Sequence, residues 1–345
     1  MPAVETTGIR KRFGKTEALC GVDIAVERAT VLDVLGPNGA GKTTLVRILC
    51  TLLKPDAGTA FIDGIDVVKD PRRARARIGL TGQYAAVDER LTGKENLEHV
   101  GRLFHRSNNE ARQRAAELLE RFELVFAADQ MVKTYSGGMR RRLDIAMSLT
   151  GNPSVLFLDE PTTGLDPRSR NTMWDLIDEL VHSGVTTLLT TQYLEEADRL
   201  TDEIVVVDHG VVIETGTAAE LKHRVGGERI EVRLEQPADA PRVVEELAQL
   251  SVGRAEISDD HRTVLVPVAT VEGMVPIVVR ELDEAGIGVQ DVGIRRSTLD
   301  DVFFALTGRA TDEDGDGPAA PSDTTGPDRI DPGPIEPDQI EQVRS

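Results

Sequence analysis

GPNGAGKT, residues 36–43, fits G-x-x-x-x-G-K-[ST] and lies between an apolar run, TVLDVLG (30–36), and a segment of helical spacing, GKTTLVRILC (41–50). A strand, a glycine-rich loop and a helix in that order make a phosphate cradle. Glycines let the backbone curl until successive N–H groups face inward, and the helix adds its positive end. The sequence thus predicts a nest from Gly36, Pro37, Asn38, Gly39, Ala40 and Gly41, with Thr44 beside it. Lys42 should reach the β- and γ-phosphates, and Thr43 should ligate Mg²⁺ through its hydroxyl. A chance glycine turn is the alternative, expected in roughly 1% of chains of this length at average glycine usage.

Working outward, SVLFLDE (154–160) is a second short apolar run, and VTTLLTTQ (185–192) and EIVVVDHG (203–210) repeat the theme. Strands that are apolar throughout rather than alternating are buried on both faces, which implies α/β architecture with a parallel sheet covered by helices. SVLFLDE delivers Asp159 at a strand's carboxyl end, where open α/β sheets bind ligands. Asp159 is therefore the candidate for the Mg²⁺ shell, and Glu160 for orienting or deprotonating an attacking water. Residues 92–150 are almost free of strand signals, and KENLEHVGRLF and ARQRAAELLERFEL read as helices. This predicts a first domain over 1–225 with a helical subdomain inserted at about 88–150.

Residues 226–309 change character. RIEVRLE, RAEIS, TVLVPVA and VQDVGIRRS read as strands and PRVVEELAQL and VEGMVPIVVRELDEAG as helices. The order β-α-β-β-α-β is the split βαβ, ferredoxin-like pattern of a small α+β domain. TLDDVFFALTG (298–308) would be a closing helix capped by Thr298 or Ser297. Residues 310–345 carry ten acids, two bases and six of the 17 prolines, so this stretch is expected to be a disordered acidic tail.

The whole chain has 345 residues and a formal charge of −19, which argues against broad phosphate attraction and so against a nucleic-acid partner. No apolar run approaches the ~18–20 residues of a membrane helix, and the N-terminus lacks the apolar core of a secretory signal. Two cysteines make no disulfide framework, so a reducing, cytoplasmic setting is expected. The six histidines show no ligand spacing, and no transition metal is assigned.

The discriminating segment is YSGGMRRRLDIAMSL (135–149), about twenty residues before the Asp159 strand. Ser136, Gly137 and Gly138 open a helix, so a hydroxyl and unpaired N–H groups converge where an anion can sit. Of Arg140, Arg141 and Arg142, at least two are expected on a solvated face, and Arg72, Arg73, Arg75 and Arg77 on a surface helix. With the phosphate loop, the Asp159–Glu160 pair, Gly164-Leu165-Asp166 and Gln83 in GLTGQYAAVDERLTGKENL, the chain resembles the ATP-binding subunit of ABC transporters, whose signature reads LSGGQ. TTQYLEEADRL and LDDVFFALTG (299–308) narrow the resemblance to the daunorubicin-resistance group.

That resemblance implies a P-loop NTPase of the ABC type and two ATP molecules, each with Mg²⁺, sandwiched in a head-to-tail homodimer. Ser136 would bind the γ-phosphate held by the partner's loop, and Asp166 would act across the seam; a plain helix N-cap is the other reading of Asp166. Phe13 would stack on adenine, or simply pack under the first turn. Gln83 would touch Mg²⁺ or the water and contact a permease. Gln192 stands where most of the wider family has His, and can donate to the γ-phosphate without carrying a proton. The partner implied is an integral-membrane permease on a separate chain, placing the protein peripherally on the inner face of the cell membrane. Export of a hydrophobic drug is the leading expectation. A lipid or glycan exporter, a soluble non-transport ATPase and a nucleotide-gated module with negligible turnover are the alternatives. For residues 226–309 the resemblance implies dimer contact or regulation.

Overall fold

The computed structural model describes residues 1–82, 85–225 and 227–308. Gln83 and the expected acidic tail lie outside the described residues. Three sheets carry the described chain. The central one contains β3 (Val31–Leu35), β6 (Ile78–Thr81), β7 (Val155–Asp159), β8 (Thr186–Thr191), β9 (Glu203–Asp208) and β10 (Val211–Gly216). Its order is β10-β9-β3-β8-β7-β6. All neighbours are parallel except the β9–β10 hairpin at the edge. Every residue of β3, β7 and β8 is buried. That is why these strands read as unbroken apolar runs rather than alternating ones.

A second sheet is antiparallel and was not anticipated from the apolar runs. β1 (Val4–Phe13), β2 (Thr16–Val26), β4 (Ala57–Ile62) and β5 (Ile65–Asp66) pair in the order β2-β1-β4-β5. Half of each long strand faces water, so charged residues such as Arg10, Arg12 and Glu17 interrupt the apolar signal. Between the two sheets lies a core that includes Val4, Ile9, Val22, Leu32, Val34, Phe157 and the buried face of α1 (Lys42–Leu49).

The helical insertion holds α2 (Pro71–Arg75) before it, then α3 (Gly93–Leu103), α4 (Asn108–Arg121) and α5 (Gly137–Ser148). Arg72, Arg73, Arg75 and Arg77 are exposed on and just after α2. Thr92 with Glu95, and Ser107 with Glu110, form reciprocal capping boxes that fix where α3 and α4 begin. Their apolar faces meet α6 (Pro167–His182) around Phe122, Leu143 and Trp174.

After α7 (Leu194–Leu200) and α8 (Ala218–Val225) comes the third sheet, with β11 (Glu228–Leu234), β12 (Glu256–Ile257), β13 (Thr263–Val268) and β14 (Val289–Arg296). α9 (Ala240–Glu246) and α10 (Met274–Glu284) cover it over a core of its own. Element order is β-α-β-β-α-β, and the strands lie antiparallel as β12-β13-β11-β14. The last helix, α11 (Leu299–Thr307), is capped by Thr298 with Asp301. It does not close on this sheet. Leu299, Val302 and Phe303 bury themselves against Leu194 and Ala197 of α7, Leu221 of α8, and Ile204 and Val206 of β9. Among the described residues no helix is long and apolar enough to cross a membrane.

Candidate active site

The order β3-β8-β7-β6 brings four separate sequence segments to one carboxyl edge. β3 runs into GPNGAGKT, β8 into Gln192, β7 into Glu160, and β6 into Gly82, the residue before Gln83. Parallel strands all present this edge in the same direction, which is where such sheets collect ligand-binding groups.

At two of its glycines the loop has no room for a side chain. A Cβ on Gly36 would lie 2.1 Å from the Val207 carbonyl oxygen. Gly41, at φ +108°, would put one 2.4 Å from the carbonyl oxygen of Ala18. Ala18, residues 37–44 and Glu160 line a cleft of about 160 Å³. Lys42 folds back to donate to the carbonyls of Gly36 and Pro37. Burial pulls its ammonium below the ordinary lysine value, opposed by the nearby charges of Glu160, Asp33 and Asp159. A cation held by carbonyls at a helix start can exchange them for phosphate oxygens.

Asp159 is almost buried, and its Oδ1 accepts a hydrogen bond of 2.6 Å from the Thr190 hydroxyl. Glu160 turns off the strand at φ +49°, a left-handed conformation uncommon for a side-chain-bearing residue. Its N–H donates to the Thr190 carbonyl (2.9 Å). Its Oε2 accepts from the Thr163 hydroxyl (3.2 Å). Gln192 is half-buried at the end of β8.

Ser136 caps α5, accepting from the Met139 N–H at 3.2 Å. Asp166 caps α6, accepting from the N–H (3.0 Å) and hydroxyl (2.6 Å) of Ser169. Those bonds hold the Asp166 carboxyl below its ordinary pKa. The two helix starts abut: a Cβ on Gly138 would lie 2.9 Å from Ser169 Oγ. Ser136, Gly137, Gly138 and Asp166 do not line the phosphate-loop cleft of their own chain. Neither does Phe13, whose half-exposed ring lies 5.7 Å from Lys11 Nζ.

Comparison with known proteins follows the same motifs. The ABC transporter family pattern matches residues 19–163. A daunorubicin resistance ATP-binding protein of Streptomyces coeruleorubidus is 54% identical over 310 residues, covering 90% of this chain and 96% of that one. The chain belongs to the ABC transporter ATP-binding family. A doxorubicin resistance ATP-binding protein of Mycobacterium tuberculosis is 50% identical over 309 residues, 88% of this chain and 93% of its own. Among solved structures, a dimeric ATP-binding cassette in a post-hydrolysis state, bound to ADP and phosphate, aligns with a TM-score of 0.57 at 28% identity. That alignment covers 62% of this chain and 98% of the cassette.

Two parts of this ABC cassette escaped the sequence reading. Arg141 is buried, while Arg140 and Arg142 reach Glu89 and Glu123 at the surface. Its guanidinium donates to the carbonyls of Gly82, Asp159, Glu160 and Pro161 at 2.6–2.9 Å. The helical period gives the signal, since Arg141 shares a face with buried Gly138 and Ile145.

The other is a pair of acids sealed on the α7 side of the sheet. Asp33, in the middle of β3, is fully buried, and neither of its carboxylate oxygens has a hydrogen-bond partner among the described residues. Glu196 of α7 is equally buried and accepts at Oε1 from the Trp174 indole (3.1 Å). The Thr162 and Thr191 hydroxyls ease the Glu196 charge from nearby, although Oε2 makes no bond of good geometry. Burial drives both carboxyls upward, Asp33 well above the ordinary carboxylate range, and the charge of Glu196 pushes Asp33 further. An acid inside the run VLDVL was the available clue.

Proposed function

We propose that this chain is the ATP-hydrolysing subunit that powers a separate membrane permease exporting a hydrophobic drug. The observation that carries the reading is the meeting of GPNGAGKT, Asp159–Glu160 and Gln192 at one sheet edge, in a chain half identical to drug-resistance ATP-binding proteins. The loop N–H groups and Lys42 hold the triphosphate. Thr43, Asp159 and Gln83 would hold Mg²⁺. A hydroxyl, one carboxylate and an amide carbonyl are hard oxygen donors, which suits an ion that keeps waters and phosphate oxygens as its other ligands. Bound there, Mg²⁺ would supply neutralisation of the triphosphate's charge.

Glu160 orients the attacking water, and Gln192 donates to the γ-phosphate from the adjacent strand end. Catalysis of this class is mostly positioning and charge stabilisation, which an amide can serve without titrating. Ser136 and the start of α5 do not line the chain's own cleft, which supports a second copy whose nucleotide they engage. Asp166 lies beside them at the same seam. Phe13 stacks on adenine from the end of β1. The permease docks near the Gln83 loop, which puts the protein on the inner face of the cell membrane. Residues 226–309 contribute dimer contact or regulation.

The test is phosphate release by the purified chain, alone and with the co-purifying permease in vesicles. Turnover that rises with permease and drug is expected. Failure to co-purify with any membrane protein would overturn the transport reading.

A further inference from the structure

Arg141 occupies a junction. Its Nη1 donates to the Gly82 carbonyl (2.6 Å), its Nε to Pro161 (2.8 Å), and its Nη2 to both Asp159 and Glu160 (2.9 Å each). One turn on, Asp144 lies 3.5 Å from the guanidinium, and its Oδ1 accepts from the Ala86 N–H at 2.9 Å. Gly82 and Ala86 bracket Gln83 in the chain. A single helix, the one opened by Ser136, therefore grips both flanks of the Gln83 segment and the backbone that carries Glu160.

We infer that Arg141, backed by Asp144, is a positioning residue that sets the backbone of Glu160 and ties it to the Ser136 helix and the Gln83 flanks. Glu160 sits in a left-handed conformation, held on its N–H side by the Thr190 carbonyl and on its carbonyl side by Arg141. The Thr163 N–H also reaches that carbonyl, at a longer 3.4 Å; loss of the guanidinium removes the shorter of these two contacts and lets the peptide relax toward ordinary φ, swinging the carboxylate out of the cleft. The planar fork matters. It meets four carbonyls at once, which an ammonium on a flexible stem cannot do. A shift of α5 against a partner's nucleotide, or of the Gln83 flanks against a permease, reaches Glu160 through this one group.

The inference rests on the proposed hydrolytic role of Glu160, so both are tested together in the full-length chain. Phosphate release and ATP affinity are measured for Glu160→Gln, Arg141→Ala and Arg141→Lys, with free guanidinium added to the alanine variant. The expected result is that Arg141→Ala lowers kcat at least about tenfold, with KM and ATP affinity within about threefold, and that guanidinium restores part of the loss. Arg141→Lys should retain the fold yet stay well below wild-type kcat. If Glu160→Gln abolishes turnover while Arg141→Lys keeps wild-type kcat, the positioning role is wrong and the hydrolytic reading stands. If Glu160→Gln turns over normally, the hydrolytic reading itself fails. An Arg141→Ala variant that loses stability and ATP affinity together, without guanidinium rescue, marks a purely structural role and also overturns the inference.

Discussion

Two pairs of acids lie at the same sheet and lead opposite lives. Asp159 and Glu160 stand at the carboxyl edge of β7, the first accepting from the Thr190 hydroxyl and the second lining the phosphate-loop cleft. Asp33, in the middle of β3, and Glu196, on α7, are sealed from solvent, with three of their four carboxylate oxygens lacking a well-formed partner. The first pair stands where a ligand can reach it. The second is held where charge is costly, and burial raises the pKa of both its carboxyls. Burial, not residue type, separates the two pairs.

That contrast can be broken or sharpened by substitution. The largest effect is expected from Glu160→Gln, which should cut phosphate release by about 100-fold or more while ATP binding persists; size-exclusion chromatography with ATP should then show a trapped dimer. Lys42→Ala should weaken ATP binding by roughly 10- to 100-fold, as expected for losing a charge-assisted bond worth about 1.5–3 kcal/mol; equilibrium dialysis measures it. In the sealed pair, Asp33→Asn should raise unfolding free energy at pH 8 by about 1–3 kcal/mol, because an amide cannot ionise and so removes the cost of a buried carboxylate charge, and leave turnover within threefold. Because the folded state raises the pKa of Asp33, its contribution is most favourable at low pH and is lost as pH rises through that folded value. The variant's stability should therefore depend less steeply on pH in urea titrations. A large fall in turnover instead would join the sealed pair to the active site. Gln192→His is the smallest change, altering kcat by no more than about tenfold and adding a pH dependence near the histidine range.

The edge was legible in the sequence because each of its parts is a local string: a glycine loop after an apolar run, an acid pair after another. β3, β7, β8 and α1 lie within a residue or two of where their runs and glycines place them. Arg141 was not legible in that way. Three consecutive arginines look alike as a string, and the phase of α5, which puts Arg141 on the face of Gly138 and Ile145, decides which one turns inward. The β1–β2 hairpin hid for a different reason, since about half its residues face water and several of those are charged. The place of α11 is a tertiary outcome: its apolar stripe fits either core, and it takes the one around Leu194 and Ile204.

That choice by α11 bears on how the polypeptide is completed during synthesis. A ribosome releasing this chain from the N-terminus has delivered the phosphate loop, Glu160 and Gln192 long before Leu299, Val302 and Phe303 emerge. Until they do, the patch that includes Leu35, Leu194 and Val206 stays uncovered, a sticky surface on a nascent cassette. The third sheet is thus threaded between two attachment points, α8 and α11, and the maturation of the first half waits on the translation of α11.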